Sequence, residues 1–134
     1  MENTRIIVCV FLLLLIPLSG YSVEDGNSTN QSNAPILSKI HVRPNPVNPG
    51  AIIVFEITFV DESGDLNGGT AVITDSRGNS YHGVVSDAKG TSGTLITSIL
   101  LDSLVTPGEL LFAVSVLDLA GNLSDPMFVT ITVL

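Results

Sequence analysis

The sequence predicts an all-β protein in which residues 35–134 form a seven-stranded β-sandwich. Apolar and polar side chains alternate along several short segments, with the period of two that is typical of half-buried strands. Clusters of Gly, Pro, Asn, Asp and Ser separate these segments at intervals of roughly 8–12 residues, a spacing typical of sandwiches. No segment shows the hydrophobic period of a convincing helix, and no internal repeat divides the region, so a single all-β domain is predicted.

Four strands are predicted in the first half of this region, at residues 36–43, 51–60, about 70–75 and 81–85. In the first strand, Ile36, Ile40 and Val42 are expected to share one face. The second strand is expected to turn four apolar residues towards the core, namely Ile53, Phe55, Ile57 and Phe59. Between these two strands, three prolines within residues 44–50 predict a rigid turn without regular pairing.

Three strands are predicted in the second half, at about residues 94–101 and in the two arms of a C-terminal hairpin. In the first arm, Phe112, Val114 and Val116 occupy alternate positions. In the second arm, which spans residues 127–134, the apolar residues at 129, 131 and 133 do the same. This alternation predicts that each arm buries one face and exposes the other.

The first 22 residues have the layout of a secretory signal peptide. Arg5 supplies a positive charge, an uninterrupted apolar stretch spans residues 6–16, and Pro17 ends it. Small residues suit a signal peptidase site, so cleavage is predicted after Ser22, with Gly20 as the alternative position. An uncleaved membrane anchor is the competing interpretation, but a span takes roughly 20 apolar residues and this stretch is shorter. The mature chain is therefore expected to have no membrane span and an extracytoplasmic location, whether secreted, periplasmic or at the cell surface.

Residues 23–34 are predicted to form a short disordered linker ahead of the domain. The segment is rich in Asn, Ser and acidic residues and has almost no large apolar side chains. Such a composition buries too little surface to offset the entropy lost on ordering. The chain is thus divided into a signal peptide at 1–22, a linker at 23–34 and a sandwich domain at 35–134.

Charge and cysteine content exclude several classes of function. The chain carries 5 Lys and Arg against 13 Asp and Glu, a formal net charge of −8, without a basic patch. Nucleic acids and anionic membrane surfaces are therefore not expected as partners. The single cysteine, Cys9, lies in the apolar stretch of the signal peptide, so the mature chain is expected to have neither disulfides nor cysteine chemistry.

Residues suited to catalysis are scarce. The two histidines, His41 and His82, fall on predicted strands, where exposed positions are expected. The sequence has no Gly-x-Ser-x-Gly elbow, no paired-histidine zinc motif and no phosphate-binding glycine loop that opens a helix. We therefore expect a protein without enzymatic activity.

Three turn and strand motifs carry a family resemblance. They are Asn-Pro-Gly at 48–50 before the second strand, Phe-Val-Asp at 59–61 at its end, and Val-Leu-Asp-Leu-Ala-Gly-Asn at 116–122 between the last two strands. These motifs resemble those of prokaryotic immunoglobulin-like or fibronectin type III-like domains. The resemblance covers about residues 35–134 and implies an immunoglobulin-like β-sandwich. The chain departs from antibody-type domains, because it lacks both their cysteine pair and their core tryptophan.

Acidic loops are expected to meet at one end of such a sandwich. Residues 61–69, 86–90 and 118–122 connect strands that end on the same side in this topology. They would gather seven oxygen-bearing side chains: Asp61, Glu62, Asp65, Asn67, Asp87, Asp118 and Asn122. Four of these are the candidate metal ligands, namely Asp61, Asp65, Asp118 and Asn122.

Calcium is the cofactor that this set of oxygens suggests, since it takes about six to eight oxygen ligands. An EF-hand is rejected, because Leu66 and Val72 stand where that loop needs Gly and Glu. The alternative is that the Asp, Asn and Gly residues only form tight turns, so that no cofactor is required. Asp118 is accordingly expected either to cap the turn at Gly121-Asn122 or to face Asp61 and Asp65 across the loops.

These observations predict a non-enzymatic, exported binding or structural module at the cell envelope or surface, with a protein or a surface glycan as its partner. One alternative is a calcium-stabilised surface or adhesion domain. Another is an accessory subunit of an envelope assembly, suggested by apolar residues on the outward parity of two strands: Ile52, Val54, Leu111, Ala113 and Leu117. The sequence does not determine the oligomeric state.

Overall fold

A computed structural model describes residues 33–134, which form seven strands and contain no α-helix. In chain order the strands are β1 (Ile36–Arg43), β2 (Ile52–Val60), β3 (Thr70–Asp75), β4 (Ser80–Val84), β5 (Ser92–Leu100), β6 (Gly108–Leu117) and β7 (Met127–Val133). The prediction of an all-β, seven-stranded sandwich is confirmed. The predicted signal peptide, and the predicted linker up to residue 32, lie outside the described residues.

The strands form two antiparallel sheets. The smaller sheet has the order β1-β2-β5, and the larger sheet has the order β4-β3-β6-β7. Strands β2 and β6 therefore belong to different sheets, so the apolar residues on their outward faces lie on two separate surfaces. Within residues 33–134 there is no helix of the length and hydropathy needed to cross a membrane.

The core lies between the inward faces of the two sheets. The four residues of β2 that were predicted to face inward are all buried, as are Phe112, Val114 and Val116 of β6. Phe55 and Phe112 meet across the sheets edge to face, with ring centroids 5.7 Å apart. Aromatic pairs of this geometry contribute about 1 kcal/mol beyond the area that they bury.

The prediction for the inward face of β1 is wrong at its first residue. Ile36 is 65% exposed, whereas Leu37 packs against the core. The register against β2 shifts between Leu37 and Lys39, which is a β-bulge that inserts one extra residue into β1. Because side chains alternate along a strand, one extra residue reverses which positions face the core on the N-terminal side of the bulge. On its C-terminal side, Ile40 and Val42 face the core as predicted.

The proline-rich segment between β1 and β2 forms no regular strand, as predicted, but it contributes one bridge to the larger sheet. Val47 is buried and pairs in parallel with Val133. Its N–H donates to the carbonyl of Thr132 at 2.9 Å, and its carbonyl accepts from Leu134 N–H at 2.9 Å. This segment therefore covers the C-terminal part of the free edge of β7.

Candidate functional site

Three aspartates meet at the end of the sandwich where β2 and β6 terminate. One carboxylate oxygen from each of Asp61, Asp65 and Asp118 can be chosen so that all three lie within 4.8 Å of one another. Asp61 is 0% exposed and Asp118 is 3% exposed, while Asp65 is half-buried. We call these three residues the acidic cluster.

Backbone contacts between loops hold the acidic cluster in place. Asp61 N–H donates to the carbonyl of Thr91 at 2.7 Å, and Leu119 N–H donates to the carbonyl of Asp65 at 3.2 Å. Gly69 permits the close approach of the loops, because a Cβ at that position would collide with the carbonyl oxygen of Leu117. The β2–β3, β4–β5 and β6–β7 loops are therefore fixed to one another at this end.

Asp118 caps the turn that follows β6. Its Oδ1 accepts from Asn122 N–H at 2.8 Å, and its Oδ2 accepts from the side-chain amide of Asn122 at 2.9 Å. The sequence left two roles open for Asp118, capping this turn or facing the other two aspartates, and the structure shows both at once. The side-chain amide nitrogen of Asn122 thereby orients the Asp118 carboxylate.

A second turn in the chain repeats this arrangement. Asp75-Ser-Arg-Gly-Asn79 and Asp118-Leu-Ala-Gly-Asn122 share the pattern Asp-x-x-Gly-Asn, and both glycines have φ of +93°. At 75–79 the Asn79 N–H donates to Asp75 Oδ1 at 2.9 Å, and the Asn79 side-chain amide donates to Asp75 Oδ2 at 2.8 Å. This repetition was not predicted, although the shared pattern Asp-x-x-Gly-Asn is visible in the sequence.

The loop after β2 is a variant of the same turn. Asp61-Glu-Ser-Gly-Asp65 has Asp where the other two turns have Asn, and Gly64 again has a positive φ, of +68°. Asp65 N–H still donates to Asp61 Oδ2, at 3.1 Å, but the Asp65 side chain has no amide to donate. One hydrogen-bond donor is thus lost and one negative charge is gained at this position.

The Ser63 hydroxyl partly replaces the missing amide donor. Its hydroxyl oxygen lies 2.8 Å from Asp61 Oδ1 and 2.6 Å from Asp65 Oδ1. A hydroxyl carries one proton, so it can donate to only one of the two carboxylates at a time. The side chains at 61–65 therefore have fewer donors than their oxygens can use, in contrast to the turns at 75–79 and 118–122.

No cationic side chain among residues 33–134 forms an ion pair with the acidic cluster. Within residues 33–134 the one ion pair joins Arg43 and Glu56, on β1 and β2. Two unit charges about 5 Å apart repel by roughly 3 kcal/mol at an effective dielectric constant near 20. A bound cation would convert this repulsion into attraction, and hard carboxylate oxygens without nitrogen or sulfur ligands suit calcium.

The remaining candidates of the sequence analysis lie outside the acidic cluster. Glu62, Asn67 and Asp87 are exposed on the same loops and are not part of the three-carboxylate group. His41 and His82 are exposed, and they lie on strands of different sheets, β1 and β4. The two histidines therefore do not form a pair.

Asp75 shows how the same turn behaves outside the acidic cluster. It is buried and accepts two further hydrogen bonds, from Arg77 N–H at 2.9 Å and from the Tyr81 hydroxyl at 3.2 Å. Burial raises the pKa of the Asp75 carboxyl, but the hydrogen bonds from Asn79, Arg77 and Tyr81 outweigh it, and the net pKa is lowered. Burial and the neighbouring Asp75 charge raise the pKa of Tyr81.

Comparison with known proteins gives no matching family model and no matching curated protein.

Proposed function

We propose that the protein is a non-enzymatic, exported module of the immunoglobulin-like class that binds a partner or serves a structural role at the cell envelope or surface. The strand order of the two sheets is the observation that supports the immunoglobulin-like class of this module. Strand β4 pairs with β3 in the larger sheet. In constant-type antibody domains, by contrast, the fourth strand lies in the same sheet as the first, second and fifth strands. This order favours a fibronectin type III-like arrangement.

Export is supported by the layout of residues 1–22, and it can be tested on the full chain. We expect that a C-terminally tagged chain expressed in a bacterial host is recovered outside the cytoplasm. Its intact mass should correspond to removal of residues 1–22. Recovery of the uncleaved chain in the cytoplasm would contradict the proposal, and recovery of the uncleaved chain in the membrane would support the anchor interpretation instead.

A calcium-stabilised domain is the second candidate, and the chemistry of the acidic cluster favours it. Asp61, Asp65 and Asp118 offer up to six carboxylate oxygens from two loops that are already fixed to each other. Two of the three carboxylates are buried, so water screens their repulsion poorly. Calcium would be held by these three residues, with Asn122 orienting Asp118.

The test of this second candidate is thermal unfolding with calcium and with a chelator. Modules outside the cell bind calcium with a Kd of about 0.1–1 mM. At a calcium concentration about ten times the Kd, linkage adds about 1.4 kcal/mol. For a domain of about 100 residues that raises the Tm by about 6–11 °C. An unchanged Tm at millimolar calcium would remove this candidate.

An accessory subunit of an envelope assembly is the third candidate, and exposed apolar side chains on both sheets favour it. Ile52 is 61% exposed on β2, and Leu111 is 42% exposed on β6. Sedimentation of the purified protein across a range of concentrations tests for self-association through these surfaces. A subunit that assembles with copies of itself should sediment faster than a monomer, whereas a monomer at all concentrations would contradict self-assembly.

A further inference from the structure

An open groove lies along β1 and the outward face of the smaller sheet. Its volume is about 520 Å³, and its lining includes Ser38, Lys39 and His41 of β1. Thr58 of β2 and Thr94 of β5 contribute hydroxyls, and Met127 of β7 contributes an apolar side chain. Ligand sites commonly have volumes of about 300–1,000 Å³, so the groove has the capacity of a small-ligand site.

The register of the smaller sheet explains why these side chains converge. Lys39 pairs with Thr58, and Thr58 pairs in turn with Thr94, so the three stand side by side across β1, β2 and β5. Side chains that are directly opposite in an antiparallel pair have Cβ atoms about 5 Å apart. A long cationic side chain therefore stands beside two short hydroxyl-bearing ones, which leaves open space above them.

The groove is locally cationic in an acidic chain. Its one carboxylate, Glu56, is already paired with Arg43, at 2.6 Å between Oε1 and the guanidinium. Lys39 has no carboxylate within ion-pair distance among residues 33–134, and it is exposed. The groove thus holds an uncompensated positive charge, although the chain as a whole has a formal net charge of −8.

We propose that this groove binds a glycan that carries a carboxylate, such as an oligosaccharide containing uronic acid. The Lys39 ammonium would pair with the sugar carboxylate, and an imidazole N–H of His41 would supply a second donor. The hydroxyls of Ser38, Thr58 and Thr94 match the hydroxyls of a sugar ring, which both donate and accept. The inference rests on the proposed function, because it names the ligand class of a binding module.

An extended acidic peptide is the alternative ligand for a cationic groove beside an edge strand. A peptide would add to the free edge of β1 through regular backbone hydrogen bonds. The bulge between Leu37 and Lys39 interrupts that edge at the groove, and bulges and lysines are common means of preventing such pairing. A glycan needs no continuous backbone ladder, and the structure therefore favours it.

Titration of the folded protein with three probes, followed by NMR of its backbone amides, tests the proposal. The probes are a hyaluronan tetrasaccharide, chitotetraose as the matched neutral sugar, and tetraglutamate as the acidic peptide. We expect the hyaluronan tetrasaccharide to shift the amides of β1, β2 and β5 around Lys39, Thr58 and Thr94. Chitotetraose and tetraglutamate should bind at least about tenfold more weakly. Chitotetraose has no carboxylate to pair with Lys39, and tetraglutamate has no sugar hydroxyls to bond with the groove hydroxyls.

Two single substitutions distinguish binding in the groove from nonspecific attraction to any exposed lysine. Lys39→Gln removes the groove ammonium and should weaken hyaluronan binding about tenfold, the effect of a lost charged hydrogen bond. Lys89→Gln removes an exposed lysine in the β4–β5 loop and should leave binding unchanged. Equal weakening by both variants, or shifts confined to residues outside the groove, would overturn the proposal.

Stronger binding of tetraglutamate than of the sugar would assign the groove to a peptide and would also overturn the proposal. No binding of any probe to a protein that is exported and folded would refute the glycan inference, while the broader proposal of an exported module would stand. Retention of the uncleaved chain in the cytoplasm would instead refute that broader proposal. The two failures are therefore distinguishable.

Discussion

Asp75 and Asp118 close two different turns with the same pair of hydrogen bonds from an asparagine four residues later, yet only Asp118 belongs to the acidic cluster. Asp75 instead accepts two further hydrogen bonds, from Arg77 and Tyr81. The chain thus contains its own internal control for the acidic cluster. Effects common to both aspartates belong to the turn, and effects confined to Asp118 belong to the cluster.

The substitution Asp65→Asn should stabilise the protein in the absence of calcium. It would restore the Asp-x-x-Gly-Asn pattern of the other two turns, supply an amide donor to Asp61 and remove one of three neighbouring charges. We expect the free energy of unfolding in a chelator to rise by about 1 kcal/mol, the typical value of one hydrogen bond. Urea unfolding of the variant and of the native protein measures it.

Asn79→Asp is the reverse change at the control turn. It removes the amide that donates to Asp75 and adds a charge, so it should destabilise the protein by about 1–3 kcal/mol. Destabilisation by Asp65→Asn in chelator would contradict the account of the missing donor at 61–65.

Acidification should remove the stabilising contribution of Asp75. The pKa of its carboxyl is lowered in the folded protein from an ordinary value of 3.8, so the ionised form is favoured by folding. That contribution is fully present above the ordinary pKa and is lost as the pH falls through the lowered value. We expect the stability difference between the native protein and Asp75→Asn to be largest near neutral pH and to shrink below about pH 4.

Chemical unfolding of both proteins at several pH values between neutral and acidic measures this difference. Both proteins contain the same other carboxyl groups, so the contributions of distant ones cancel in the comparison. A difference that grows on acidification would mean that burial, and not hydrogen bonding, determines the pKa of Asp75.

The substitution Thr97→Val should stabilise the protein. Thr97 on β5 is 1% exposed, and its hydroxyl is the one buried side-chain polar atom without a hydrogen-bond partner among residues 33–134. Burying an unpaired hydroxyl costs about 1–3 kcal/mol, and valine has nearly the same shape without that cost. We expect an increase of about 1 kcal/mol in the free energy of unfolding.

Thr94→Val is the matched control, because Thr94 is exposed on the same strand. Its effect should stay within about 0.5 kcal/mol. A loss of stability in Thr97→Val would indicate that the hydroxyl has a partner in solution, such as an ordered water.

Because of the bulge in β1, alanine substitutions at the adjacent residues Ile36 and Leu37 should differ in their effect on stability. Leu37→Ala should destabilise the protein by about 1–2 kcal/mol, because Leu37 packs against the core while remaining partly exposed. Ile36→Ala should change stability by less than about 0.5 kcal/mol, because Ile36 is 65% exposed. Thermal or urea unfolding of both variants checks the register, and the reverse order would place Ile36 in the core.

The alternation of apolar residues predicts most of this fold, because side chains alternate between the two faces of a strand. Residues at every second position, such as Phe112, Val114 and Val116, therefore lie on the same buried face. The exposure of Ile36 could not be predicted, since a bulge depends on how β1 pairs with β2 rather than on the sequence of β1 alone. The groove beside Lys39 was also not predicted. It depends on which side chains of three strands become neighbours in the smaller sheet.

The aspartates of the candidate site could be predicted from the sequence, but their burial and hydrogen bonds could not. Loop topology indicated that Asp61, Asp65 and Asp118 would lie at one end of the sandwich. The burial of Asp61 and Asp118, and the hydrogen bond from the Asn122 amide to Asp118, depend on tertiary contacts that turn propensity does not specify.

The Tm of Asp118→Asn and of Asp75→Asn, measured with calcium and with a chelator, tests the calcium account most directly. Asparagine retains acceptor capacity in both turns, so both variants should remain folded while losing some stability. If calcium binds the acidic cluster, it should raise the Tm of Asp75→Asn by about 6–11 °C, as in the native protein, and leave that of Asp118→Asn nearly unchanged. Equal calcium shifts in the two variants, or no shift in the native protein, would contradict a calcium site at Asp61, Asp65 and Asp118.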